Sequence, residues 1–203
     1  MIQYALTVAN DHPYRSPDGS NHAMSATISH TPSLMPGHPL LETYLESYFL
    51  TIQSALPFLE EEGIRQAFFN IRQGTEAQQH SPTLLLVLAL GAALSREQGP
   101  SSSFHSMQLF LLATQNLHQV TRETNCETLQ LLLLCTLFSM FNPCGGSTWH
   151  LLGLASQTCL TLGLHHLEPG PDLDMQNGGS LEMSAFWSTY ILDRCVCLFP
   201  FLP

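Results

Sequence analysis

Residues 81–100 read "SPTLLLVLALGAALSREQGP", and this stretch limits the fold more than any other. Ser81 offers a helix cap, Pro82 suits the first helical position, and Gly99-Pro100 supplies a stop. Between those marks the residues are apolar on nearly every side of a helix, and a helix without a polar face must be buried. Other helices have to surround it. A chain of 203 residues is long enough to supply them within one domain.

The flanking sequence has the required pattern. "LLETYLESYFLTIQSAL" places Leu41, Tyr44, Leu45, Tyr48, Phe49, Ile52 and Leu56 at amphipathic helical spacing, and Pro57 ends or kinks that helix. "EEEGIRQAFFNIRQ" is a second, shorter helix with its acids at the end the dipole favours. "SSSFHSMQLFLLATQNLHQV" follows residues 81–100 as a helix after a serine-rich cap. Thr124 and Glu127 form a capping-box pattern before "TLQLLLLCTLFSMF", which Pro143 and Gly145-Gly146 end. "GGSTWHLLGLASQTCLTLGLHH" is the sixth helix, and the seventh starts near Ser180 in "GGSLEMSAFWSTYILDRCVCLF". Beta-branched residues are few and nowhere alternate, so no strand is expected. The expected fold class is all-α, an array of about seven antiparallel-paired helices joined by short loops. Residues 1–39, rich in Pro, Ser, Asn, Gly and His, read as a disordered tail or linker; the helical domain spans residues 40–203.

Composition narrows the functional classes. Charged residues make up 11% of the chain, against a usual share of about 25%, which suggests apolar surface that something else covers. The net charge is −10, with six arginines and no lysine. Phosphate backbones are bound by clustered Lys and Arg, whereas Arg15, Arg65, Arg72, Arg96, Arg122 and Arg194 stand isolated, so these residues should not bind DNA or an anionic membrane themselves. The apolar runs Leu84 to Leu94 and Leu131 to Phe141 fall short of the roughly 20 residues of a membrane span. The N-terminal residues show no signal-peptide pattern. Six cysteines, at 126, 135, 144, 159, 195 and 197, include no Cys-x-x-Cys pair, and they read as free thiols in a reducing compartment.

The sixth helix decides between an enzyme and a contact module. Leu151, Leu152, Ala155, Cys159 and Leu162 fall within about a 100° arc, a core stripe. Trp149, Gly153, Ser156, Leu160 and Gly163 form an adjacent arc, expected to receive a second helix at close range. Gly163 begins the exit from the helix, and Leu164 still reaches the core. His165 and His166 then sit where donors meet the last carbonyls. A zinc site wants paired ligands at helical spacing, and adjacent histidines point apart, so no metal site is expected. Glu60-Glu61-Glu62 reads as a solvated helix start, and Asp193-Arg194, near Trp187 and Tyr190, as a partly buried charged pair or a contact to a neighbouring helix. No nucleophile elbow, phosphate loop or dinucleotide fingerprint occurs, and no catalytic residue is expected.

"STWHLLGLASQTCLTLGLHH", followed after a polar loop by "AFWSTYILDRCVCL", resembles the fungal transcription factor regulatory domain, or middle homology region, of zinc-cluster factors. That pattern has a Trp, a helix with small residues ending Leu-Gly-Leu-His, then Phe-Trp-x-x-Tyr-x-Leu-Asp-Arg. "YLESYFLTIQSALPFL" and "ETLQLLLLCTLF" are similar to its entry helix and its Gln-x-Leu-Leu-Leu helix. The resemblance assigns Trp149, Gly153, Gly163, Leu164, His165, Phe186, Trp187, Asp193 and Arg194 to a structural motif. It depends on the order and spacing of several blocks over about residues 40 to 198.

Two departures bear on what the resemblance implies. Residues 1–39 hold no cysteine, so the two Cys-x2-Cys-x6-Cys halves of a zinc cluster are absent from the chain. "CLFPFLP" stands where the family has a Gly-Arg-Pro turn and further helices, and the expectation is a member truncated at its C-terminus, marginally stable and prone to associate. The resemblance implies a nuclear regulatory domain that works through contacts with other domains of the same factor or with protein partners. It would reach DNA only indirectly, through a zinc cluster outside these residues, with no cofactor of its own and no membrane contact. A small apolar ligand held between helices remains open. The alternative is an α-helical scaffold or receptor-like domain with a cavity for a hydrophobic metabolite; an enzyme using His165 or His166 is the third reading.

Overall fold

The computed structural model describes residues 39–73, 81–95, 100–115, 117, 123–142, 145–166 and 179–198. Of the expected tail, residues 1–39, all but Pro39 lie outside the described residues, as does Cys144; Pro39 is not tail but the first residue of a helix, where proline fits. Among the described residues seven α-helices run in order: α1 Pro39–Tyr48, α2 Glu61–Arg72, α3 Pro82–Leu94, α4 Pro100–Gln115, α5 Cys126–Phe141, α6 Thr148–Thr161 and α7 Gly179–Leu198. A π-helical turn, Phe49–Gln53, continues α1, and a 3-10 turn, Leu164–His166, follows α6. There is no strand among the described residues.

The all-apolar helix is the hub. From Leu84 to Ala92 every residue of α3 is buried, and α3 meets α1, α2, α4 and α5. A helix surrounded on all sides can do without an amphipathic stripe, which is why its sequence has none. At its crossing with α1 the backbones come unusually close: a Cβ placed on Gly91 would lie 1.9 Å from the carbonyl oxygen of Tyr44. Only glycine fits there. Around this crossing Ser106 on α4 donates to the Ala89 carbonyl (2.8 Å), and the Tyr44 hydroxyl pairs with His105 Nδ1 (3.1 Å). Phe110 and Phe138 stack at 4.0 Å between centroids and join α4 to α5.

The charged residues hold α2 on the outside of α1. Arg65 bridges Glu46 (2.7 Å) and Glu61 (2.8 Å), with its guanidinium 4.5 Å from the centre of the Phe49 ring. Arg72 adds a contact to Glu42 at 3.2 Å. Such half-exposed pairs contribute about 0–1 kcal/mol each, so they orient α2 more than they stabilise it. The connection from α1 to α2 is fastened by two amides instead. Gln53 Nε2 donates to the Leu59 carbonyl (2.6 Å) and Gln130 Nε2, from α5, donates to the Phe58 carbonyl (2.8 Å).

Several local expectations need correction. The capping box at Thr124 and Glu127 does not form. Asn125 is the cap of α5, accepting from the Thr128 N–H at 2.8 Å, while the Thr128 hydroxyl donates back to the Glu123 carbonyl. Asn125, one residue after Thr124, stands three residues before Thr128, the spacing at which a cap accepts from a first-turn N–H. Ser81 precedes α3 as expected but makes no side-chain cap bond, and Pro82 holds the first turn. Pro100 opens α4 rather than closing α3, which ends at Leu94; proline fits a first turn because its missing N–H is not needed there.

Candidate functional site

The residues singled out from sequence lie on α6, the 3-10 turn and α7, which pack against one another and, through both helices, against α5. The inner stripe of α6 is as read: Leu151, Leu152, Ala155 and Cys159 are buried, and Leu162 packs at the edge of the core. Ser139 and Thr148 share a hydroxyl contact at 2.9 Å that ties the end of α5 to the start of α6. At the other end Gly163 takes φ +71°, a left-handed conformation that carries the chain out of the helix. Leu164 then turns inward and is buried, leaving His165 and His166 exposed; the two do not point apart as expected, since the 3-10 turn brings their rings to 3.8 Å between centroids.

The second arc of α6 was misread. Trp149 is 55% exposed and Leu160 58%, and a Cβ on Gly153 would have nothing within 4 Å. No helix among the described residues approaches this side, so the small residues there do not serve close packing. Periodicity had marked two apolar arcs but could not tell a covered one from an uncovered one.

On α7 the same division is sharper. Ala185, Ser188, Thr189, Leu192 and Val196 are buried, and Thr189 satisfies its hydroxyl by donating to the Ala185 carbonyl (2.7 Å). Phe186 packs on the margin of the core. On the opposite face, at three-and-four spacing, stand Trp187, Tyr190, Ile191, Arg194 and Leu198, each between 43% and 63% exposed or, for the arginine side chain, 59%. Trp187 meets Tyr190 edge-on at 5.8 Å, Arg194 lies over the Tyr190 ring at 5.4 Å, and Arg194 also pairs with its neighbour Asp193. The charged pair thus belongs to the surface, and its partner is internal to α7 rather than on another helix.

Among the described residues no three of His, Cys, Asp and Glu gather as metal ligands would. Cys135 is fully buried in α5 and its thiol is pushed up to about 12 by loss of solvent; Cys126 and Cys159 are raised in the same way, chiefly by burial. A thiol held protonated is a poor nucleophile and ligand. Cys195 is exposed. No helix among the described residues is long and apolar enough to cross a membrane.

Sequence reasoning missed Gly91 and the π turn. Gly91 had left a signal, since a glycine inside an otherwise unbroken apolar helix usually has a packing reason. The π turn left none, because Phe49 to Gln53 keep ordinary helical spacing in sequence.

Comparison with known proteins gives this arrangement a context. The model of the fungal specific transcription factor domain matches residues 45–199, which takes in all of α2 to α7. The thiamine repressible genes regulatory protein thi1 of Schizosaccharomyces pombe is 28% identical over 181 residues, covering 84% of this chain and 23% of that protein. The negative regulator of pleiotropic drug resistance STB5 of Candida glabrata is 24% identical, covering 77% and 17%. Cutinase transcription factor 1 beta of Fusarium vanettenii is 25% identical, covering 81% and 19%. The chain spans about a fifth of the length of these curated relatives. No solved structure matches it.

Proposed function

The chain belongs to the fungal specific transcription factor domain family, and we propose that it is a regulatory module of a fungal transcription factor, acting in the nucleus through helix contacts rather than catalysis. The observation that carries this reading is the family match across 45–199, joined by relatives whose names describe gene regulators. The mode of action follows from the surface. The outer face of α7 and the uncovered arc of α6 present exposed aromatic and aliphatic side chains, and aromatic residues with an arginine are the usual core of a protein contact. Their occupant is another part of the same factor or a separate protein. DNA is reached through a zinc cluster that these 203 residues do not include.

The test is a reporter assay with the chain fused to an unrelated DNA-binding domain in a fungal cell. The fusion is expected to change transcription of the reporter, and Trp187→Glu with Ile191→Glu to abolish that change while circular dichroism keeps its helical signature. A fusion with no effect on transcription, or one indifferent to these two residues, would count against the reading.

A further inference from the structure

We propose that Tyr48 Oη and Gln53 Oε1 form the polar end of an internal binding site, at the π turn of α1, for a small neutral molecule bearing one N–H or O–H donor on an apolar body. The residues concerned are not those of the contact surface, and the inference stands apart from it.

The orientation of Gln53 is fixed. Its Nε2 donates to the Leu59 carbonyl at 2.6 Å, and since a carbonyl can only accept, the amide cannot be turned round. Its Oε1 is left buried, with no hydrogen-bond partner among the described residues. The Tyr48 hydroxyl is in the same condition, on a side chain with no solvent exposure at all. Buried polar atoms without partners are rare in native proteins, and each calls for a reason.

Backbone geometry places the two residues together. Tyr48 directly precedes the π turn and Gln53 is its last residue. In an α-helix, five residues turn the chain about 140° away from the start. A π turn closes from residue i to i+5, which stacks the second residue over the first. The irregularity in α1 therefore puts both residues on the same side of the helix. Such single-turn bulges recur at functional sites for this kind of reason.

The chemistry of the occupant follows from the two atoms. Gln53 Oε1 only accepts, so the occupant must donate; the Tyr48 hydroxyl can turn to either role. Burial pushes the Tyr48 hydroxyl far above its ordinary pKa, which keeps it neutral. Leu45, Phe49, Ile52 and Leu56 belong to the same buried cluster, and the acids of α1, Glu42 and Glu46, are engaged outside by Arg72 and Arg65. An ion would find no counter-charge there, whereas a compact apolar body with one donor is matched.

Matched probes test this on the 203-residue chain. Indole carries an N–H that indene lacks at nearly the same shape, and phenol and toluene make a smaller pair. By titration calorimetry and thermal melting, indole or phenol is expected to bind at least about fivefold more tightly than its hydrocarbon counterpart. Tyr48→Phe and Gln53→Met should each bring the donor probe down to the level of the hydrocarbon. If Tyr48→Phe does not fold, Gln53→Met carries the comparison. Failure of both donor probes to bind, equal binding within both pairs, or a donor preference that survives in the variants would overturn the proposal.

Discussion

Gly91→Ala should destabilise the domain, although helix propensity alone argues the reverse. Replacing an interior helical glycine by alanine gains about 1 kcal/mol when the new methyl group meets nothing. At Gly91 it meets the backbone of α1: Tyr44 O at 1.9 Å and Tyr44 C at 2.6 Å. Ordinary contact begins near 3.4 Å, so the crossing must open by about 1.5 Å, a distance over which tight packing loses much of its attraction. A side chain could swing aside, but a carbonyl moves only with its helix. Overpacking in a tight core costs about 1–3 kcal/mol, and an obstacle of backbone puts this case at the upper end. The net loss is about 2 kcal/mol, against a typical total of roughly 5–15 kcal/mol. For a domain of this size that lowers Tm by about 4–8 °C. Gly153→Ala is the internal control, since its added methyl group meets nothing, and it should raise Tm by about 2–4 °C. Thermal denaturation followed by circular dichroism reads both. If the two variants shift Tm upward alike, α1 does not cross α3 at Gly91 and the account of the hub is wrong.

Asn125→Ala removes the amide that accepts from Thr128 N–H and should cost about 1 kcal/mol, measured by urea unfolding; an unchanged midpoint would show that the cap is idle. Native-state labelling with an alkylating reagent should modify exposed Cys195 quickly and buried Cys135 only after unfolding, because its thiol, raised to about 12, carries almost no thiolate at neutral pH. Early loss of the Cys135 thiol would mean that α5 opens readily. Trp187→Glu with Ile191→Glu should reduce self-association in sedimentation without loss of helicity, since both side chains stand on the outer face of α7. Duplex DNA should not be bound specifically, given a net charge of −10 and no lysine; a mobility shift that weakens steeply with salt would refute this.

The helices were legible because their signals are local. The apolar run that follows Pro82 and the inner stripe of α6 depend only on neighbours in sequence, and both reappear in the structure. Gly163 and Leu164 were legible for the same reason, since a left-handed exit and an inward turn are events within one helical end. What a helix face meets is not local. Trp149, Gly153 and Leu160 have the spacing of a packed arc and yet lie open, while Gln53 falls outside the apolar stripe of α1 and yet has its Oε1 buried. The capping of α5 failed on a narrower point, because Thr124 and Asn125 are both good caps and only the entering chain direction selects between them.

The two glutamine amides between α1 and α2 set a limit on how this part of the chain can vary in length. Gln53 and Gln130 approach successive carbonyls, Leu59 and Phe58, and one of them comes from a helix distant in sequence. A single residue inserted or deleted between 54 and 58 would rotate that pair out of register and leave both amides facing the wrong groups. Surface connections ordinarily absorb such changes at little cost. This one should not, and related proteins that keep both glutamines are expected to hold the spacing from 53 to 59 constant, even where other connections differ by many residues.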